Sequence, residues 1–354
     1  MTAAPETTSR RGRTRTTDLT TGSPGRGIIA FSLPLLGTAL VQLLYSTVDL
    51  MFVGHVLGTE AAAAVGASGL IVTCLIGMFT GLGTGTGVLV ARHFGARRHS
   101  QVERVMHTAL ALGLVGGAVL VPVMIAAAPA LLAWLNTPAG ILSMAVVYVR
   151  IYLFGLVGIV VFNMGAGILR AIGDSLAPML CQLLGGVVNV LADALLIIVF
   201  RWGIVGAAAA TLTSQTLSAV LVLLDLCRPD DRYRLHLTRF HLHRVTLREI
   251  LAIGLPSGMQ ALVITLSNAA VQYRINGLGI PDIAAFTVWF RVENLLYMPI
   301  MALGQAASTA VAQNLGAEDR ARTRRAIRLC CLIGVVVTVV LAAALLLASR
   351  PILG

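Results

Sequence analysis

The chain has 354 residues, of which 57% are hydrophobic and 12% charged, with a mean hydropathy of +0.88. Soluble domains of ordinary composition are about half apolar and about a quarter charged, so this composition excludes a soluble domain and places the chain in lipid. The net charge of +11 comes from arginine alone, since the sequence holds no lysine, and the placement of those arginines decides between a nucleic-acid partner and a membrane.

Residues 1–26 are rich in Thr, Ser, Gly and Arg and carry no apolar period, so a disordered arm is expected there. Its Ser9-Arg10-Arg11 run superficially matches a twin-arginine signal. Polar sequence follows, however, with no short apolar core or small-residue cleavage site, so the arm is read as a cytoplasmic tail. Apolar spans then fall at about 28–53, 63–91, 105–128, 142–169, 175–200, 204–227, 249–276, 283–312 and 326–348. Each is long enough to cross ~30 Å of hydrocarbon, for which roughly 20 residues suffice, so nine transmembrane helices are predicted.

With the arm in the cytoplasm, most arginines collect on one side: in the arm, around Arg92 to Arg104, at Arg170, between Arg228 and Arg248, and between Arg320 and Arg328. Only Arg201, Arg274 and Arg350 fall at the other face, while Arg150 and Arg291 lie within spans. This is the positive-inside distribution of a multi-pass protein, and it leaves no basic face for a nucleic acid.

The chain also repeats itself. Phe31-Ser32-Leu33-Pro34 opens the first span and Ile253-Gly254-Leu255-Pro256 the seventh, an offset of 222. Ala91-Arg92-His93-Phe94-Gly95-Ala96 matches Ala312-Gln313-Asn314-Leu315-Gly316-Ala317 at an offset of 221, and Pro129 matches Pro351 at 222. Six spans return the chain to its starting side, so the two copies share an orientation and are related by an axis along the membrane normal. The expected division is an N-lobe of six helices over 27–227, a cytoplasmic inter-lobe loop over 228–248 and a partial C-lobe of three helices over 249–354. Counterparts of the fourth to sixth spans, about 95 residues, are lacking, so the second lobe is expected to be incomplete and the chain cut.

Charges inside spans are costly and mark function by default. Asp49, Asp193 and Glu293 qualify, and Arg291 lies two residues from Glu293. Asn189 and Asp193 are four apart and share a helix face, and the same six-helix unit carries Asn163 and Thr211. Carboxylate, amide and hydroxyl oxygens suit a hard cation such as Na+. Two carboxylates held close in low dielectric also share a proton more readily than either does alone, so both ions remain open. A purely structural role is the competing reading for one acid; two in one unit, with an amide in register, favour function. For Arg291 and Glu293, pairing for stability and a place in the C-terminal half of the pathway stand equal. Pro34 removes a hydrogen bond in the helix that carries Asp49 and is expected to bend it. Gln42, about two turns before Asp49, is placed to meet substrate.

Other chemistry is excluded. The Gly81-Leu82-Gly83-Thr84-Gly85-Thr86-Gly87 run is not GxGxxG and lies in an apolar helix, so close helix packing is expected instead of phosphate binding. Without lysine there is no Walker A motif. The five cysteines lack CxxC spacing, His241-Leu242-His243 has no matching ligands, and no nucleophile constellation or HExxH pattern occurs, so neither an enzyme, a metal centre nor a cofactor beyond a coupling ion is expected.

Three segments resemble the signatures of multidrug and toxic compound extrusion (MATE) antiporters: Thr47-Val48-Asp49-Leu50-Met51-Phe52-Val53-Gly54-His55, Gly95-Ala96, and Gly167-Ile168-Leu169-Arg170-Ala171-Ile172-Gly173-Asp174. The resemblance implies two six-helix lobes around a central cavity, exporting cationic or amphipathic drugs in exchange for H+ or Na+. It carries the cation site of the DinF-like branch onto Asp49, Asn163, Asn189, Asp193 and Thr211, with Pro34 as the bending proline and Gln42 facing the cavity. The NorM-like branch places an acid on the seventh helix, where this chain has only Glu249 at the start. The expected protein is a monomeric, multi-pass exporter of small drug-like molecules in the bacterial inner membrane, with lipid as its surroundings. Two alternatives are carried: a lipid-linked sugar flippase, which favours more intramembrane cations than Arg150 and Arg291, and a truncated, non-transporting membrane protein.

Overall fold

The computed structural model describes residues 16–228, 235, 242–275, 277 and 280–353. Its elements are α1 (Pro24–Phe52), α2 (Thr59–Gly95), α3 (His99–Trp134), α4 (Ala139–Phe154), α5 (Leu156–Ala171), α6 (Leu176–Asp193), α7 (Gly203–Cys227), α8 (Arg244–Ile275), α9 (Ile280–Gly316) and α10 (Arg320–Leu353). Among the described residues there is no strand, as a chain that must satisfy its backbone within lipid requires. Eight helices among the described residues are each long and apolar enough to span, and α4 with α5 makes a ninth span bent by 46°.

Three local features depart from the predicted spans. The fourth is broken at Gly155, where a Cβ would lie 3.1 Å from the Tyr152 carbonyl oxygen and 3.2 Å from Leu212 on α7; the absent side chain lets the turn press against α7. The seventh begins at Arg244 and not at 249. Both α1 and α6 end in π-helical turns, Val53–Leu57 and Ala194–Val199, which no apolar period encodes.

The first bundle packs α2, α3, α4, α5 and α7 around Met106, Leu110, Leu132, Leu153, Leu156, Met164, Ile168 and Leu169, all fully buried. Large apolar side chains also face outward, among them Val119, Val123, Phe154 and Leu224, as expected of surfaces that meet acyl chains. A second cluster joins Phe31 and Leu35 of α1 to Ala302 and Ala306 of α9.

The glycine run on α2 works as packing surface on two sides. A Cβ on Gly81 would overlap the Gly258 backbone, and one on Gly85 would lie 2.7 Å from the Gly254 nitrogen, so this face meets α8. Gly83 and Gly87 point the other way, where a Cβ would come within 3.1 Å of the Asn163 carbonyl oxygen and 3.3 Å of that of Gly167 on α5. Two residues on a helix turn the direction by about 200°, so alternate glycines serve opposite neighbours. The predicted repeat is visible as a reciprocal contact: a Cβ on Gly95 would overlap the Gln313 carbonyl, and one on Gly316 the Arg92 carbonyl. Each glycine meets the residue that lies three before its own repeat mate, which is what a pseudo-twofold axis between α2 and α9 produces.

The expected arm to residue 26 is corrected over its described part. Thr17 donates its N–H to the Gly173 carbonyl at 2.9 Å, Leu19 is buried beside Ile28 and Phe31, and α1 starts at Pro24. The Leu19 N–H meets Gln313 Oε1 at 3.3 Å, and Arg322 donates to the carbonyls of Leu19, Thr21 and Gly22. Polar composition misleads here because backbone carbonyls, not side chains, fasten this strap across the seam between the first bundle and α9–α10. Residues 1–15 and His241 lie outside the described residues. Arg322→Ala is expected to lower stability by about 1–2 kcal/mol, less than three charge-assisted bonds suggest because the site is partly exposed; a thermal melt of the purified protein checks it.

Candidate functional site

The two intramembrane acids of the first bundle come together. Asp49 lies one turn before the π-helical end of α1, and Asp193 is the last residue of α6 before its own π-helical end. The two π turns touch, with Val53 and Ile197 packed in one cluster with Tyr148, Ala207 and Ala208. A π turn shifts the register of the side chains beyond it, and such insertions cluster at functional sites.

Asp49 and Asp193 bring their carboxyl groups within hydrogen-bonding reach of each other. Asp193 and Asn189, one turn apart on α6, are fully buried. Yet both Asp193 oxygens, Asp49 Oδ1 and both polar atoms of the Asn189 amide have no partner among the described residues. Two carboxylates are both acceptors, so their approach is not itself a hydrogen bond. A proton or a cation between them makes it one. Orphaned oxygens at this density inside a packed helix junction suit an exchangeable ion better than a structural pair.

Around the pair stand three tyrosines, Tyr45, Tyr148 and Tyr152, all within electrostatic reach of Asp49. Tyr45 is one turn before Asp49, and its hydroxyl oxygen accepts from Gln215 Nε2 at 3.1 Å and, more weakly, from Gln182 Nε2 at 3.5 Å. Thr211 lies one turn before Gln215 on α7, with its hydroxyl donating to the Ala207 carbonyl at 3.2 Å. Tyr45→Phe leaves the buried Gln215 amide without its acceptor and is expected to cost about 1–2 kcal/mol of stability. A thermal melt checks it, with Tyr273→Phe, at an exposed ring, as the control that stays unchanged.

Asn163 is placed elsewhere. Its amide donates to the Ile159 carbonyl at 2.8 Å and its oxygen accepts from Thr80 Oγ1 at 3.4 Å, on the wall of a cavity of about 190 Å3. Gln42, Tyr45, Tyr152, Gln182 and Gln215 line the same cavity, and Gln305 closes it from α9. An adjoining recess of about 70 Å3 adds Thr84, Ser308 and Thr309 and shares Asn163, Arg170 and Gln305. The acids therefore lie behind a tyrosine and glutamine wall, and among the described residues Arg170 is the charged one that lines either space.

Pro34 sits inside α1, which runs through it as one element; the Thr38 hydroxyl donates to the Pro34 carbonyl at 2.9 Å. Glu293 is exposed on α9 and lines neither space, and the side chain of Arg291 lies outside the described residues. No group of three His, Cys, Asp or Glu that could hold a metal occurs among the described residues. Sequence reasoning does not single out Tyr45, Gln182, Gln215 or Gln305. The first three share helix faces at intervals of four or seven with Asp49, Asn189 and Thr211, a polar stripe that a search for charge passes over.

This arrangement has relatives among known proteins. The MatE family profile matches residues 34–195 and 256–354. The chain is 28% identical to the probable multidrug resistance protein YpnP of Bacillus subtilis, over 86% of this chain and 68% of that one. It is 22% identical to the multidrug export protein MepA of Staphylococcus saprophyticus, over 86% and 67%. A solved outward-facing multidrug resistance MATE transporter of the MOP superfamily superposes with a TM-score of 0.88 at 29% identity, covering 96% of this chain and 75% of that one. With the apolar spans of its described residues, its repeat contact between α2 and α9 and a family match over most of its length, the chain belongs to the MatE family of membrane transporters.

Proposed function

We propose that this chain is a secondary active transporter that exports drugs or other small organic molecules in exchange for H+ or Na+, with Asp49 and Asp193 as the coupling site. The observation that carries it is the pair of close carboxyl groups, most of whose oxygens are orphaned, beside a polar cavity between helices. An ion entering the pair cancels the repulsion between two acids; its departure restores it. The two π turns that touch at the pair then feel that change first, and they connect it to α1 and α6, whose side chains wall the cavity. Asn189 supplies an amide beside Asp193, Thr211 a hydroxyl on the facing helix, and Asn163 contributes to the cavity wall and not to the pair.

The drug-export names of the relatives support drug-like cargo, and binding and release of cargo alone need no covalent chemistry. The arginine bias supports a multi-pass placement in the bacterial cytoplasmic membrane with the N-terminus in the cytoplasm. The packing of the first bundle around its own core supports a monomer.

The test is expression in a bacterial strain stripped of its own drug exporters. Accumulation of at least one dye of a panel of cationic, neutral and anionic dyes that includes ethidium and fluorescein is expected to fall several-fold, and to recover when either the proton or the sodium gradient is collapsed. The gradient whose loss restores accumulation names the ion. Accumulation of every dye of the panel equal to that of cells carrying the empty vector overturns the proposal.

A further inference from the structure

The polarity of the cavity bears on its cargo. Among the described residues, Arg170, on the last turn of α5, is the charged one that lines the cavity and its adjoining recess. Its Nε donates to the Ala166 carbonyl at 3.0 Å and one terminal nitrogen to Gln305 Oε1 at 3.0 Å. Both partners are neutral. A guanidinium carries five N–H donors, so three remain, in the fork geometry that fits a carboxylate or a phosphate. The acids of the first bundle do not offset this charge from within the cavity, because Asp49 and Asp193 lie behind the wall that Tyr45 and Tyr152 form.

We propose that the cavity selects cargo bearing an anionic group, a carboxylate or a phosphate ester, held by Arg170. The proposal rests on the transport reading of the same cavity and names the class of molecule it takes. The hydroxyls of Ser308 and Thr309 and the Nε2 of Gln305 supply further donors around the same point, while those of Thr80 and Thr84 are committed to Asn163 Oδ1 and the Thr80 carbonyl. An anion there exchanges its water for these donors and for a full positive charge. At the ~4 Å of a hydrogen-bonded pair and an effective dielectric of ~20, the charge contributes about a thousandfold in affinity, most of which desolvation of the anion takes back. A cationic cargo meets the same charge as repulsion. Gln305 belongs to α9 whereas Arg170 belongs to α5, so an anion bound here contacts both sides of the helix seam.

The experiment uses the purified full chain in detergent and two dyes on one scaffold, fluorescein and its methyl ester, which lacks the carboxylate. Fluorescence polarisation is expected to show fluorescein bound about tenfold more tightly than the ester. Arg170→Gln is expected to remove the difference, and Arg170→Lys to keep part of it, with thermal melts of all three proteins confirming that they fold. Equal binding of the two dyes by the unmodified protein, or a preference that survives in Arg170→Gln, overturns the proposal. The transport reading fails separately. Gradient-driven export of ethidium without any fluorescein preference sinks the charge inference alone, whereas a fluorescein preference that depends on Arg170, with no gradient-driven export of any dye, sinks the transport reading alone.

Discussion

Asp193→Asn is expected to abolish gradient-driven export while leaving the protein as stable as before, or more so. The carboxyl is fully buried and meets no donor, so the native pair is a source of repulsion and desolvation cost. Asparagine keeps the volume of the side chain and removes one charge, and its Nδ2 gives Asp49 the donor it lacks. A donor–acceptor contact then replaces two facing acceptors, a gain of about 1–3 kcal/mol in the folded state. The same change leaves the pair unable to exchange an ion, because the neutral amide neither takes up a proton at accessible pH nor balances a cation. Export should fall by at least about a hundredfold, to the level of empty liposomes, as is usual when a member of an acting unit is lost. Asp49→Asn should do the same, and the double variant should be no worse than either single one. Dye uptake into proteoliposomes and thermal melts read the two effects separately. Stability that rises while export vanishes is the signature of an ion site; loss of both together would mark the acids as structural. Retained export in either single variant removes them from the coupling step.

Composition and periodicity make the helical architecture legible, because the cost of exposing backbone to lipid leaves so few alternatives. The repeat is legible for the same kind of reason: Gly95 and Gly316 are held where no other residue fits, and so stand at matching places in both copies. The pairing of Asp49 with Asp193 is also readable, since two acids in one apolar unit have few ways to be tolerated. What is not readable is geometry that a straight-helix picture omits. The π turns after Asp49 and Asp193 rotate the register locally, and the break at Gly155 turns a single span into two helices. Asn163, expected beside the two acids, lines the cavity and accepts from Thr80. Arg170 reads in the sequence as a loop arginine that marks the membrane side, yet its stem lies along α5 and its guanidinium reaches the cavity. Near a span end, one arginine serves both readings, and only the neighbouring helix decides. The strap at residues 16–22 is invisible in the sequence because main-chain carbonyls fasten it, and these carry no sequence signature.

Gly81→Ala is expected to be among the most damaging single-methyl additions on α2. The added Cβ would overlap the backbone of Gly258, and no rotamer change relieves a clash with main chain. The helices must separate, which opens the glycine-on-glycine seam where α8 lies against α2 with no side chain between them. A stability loss of about 3 kcal/mol or more follows, at the upper end for overpacking. Other glycines of the same helix provide a graded scale. At Gly87 the nearest atom to an added Cβ is the Gly167 carbonyl oxygen at 3.3 Å, so a shift of a few tenths of an ångström suffices and a loss of about 1 kcal/mol is expected. At Gly69 nothing lies within 4 Å, so alanine is free to improve helix propensity and should be neutral or stabilising by up to about 1 kcal/mol. The three variants thus rank Gly69→Ala, Gly87→Ala, Gly81→Ala in falling melting temperature. Export should track this order for a second reason, because Thr80 lies beside Gly81 and lines the cavity, so a displaced α2 moves the wall that meets the cargo. A melting order that places Gly81→Ala level with Gly69→Ala would mean that α2 and α8 do not meet at glycine, and that the seam between the bundle and α8 is held elsewhere.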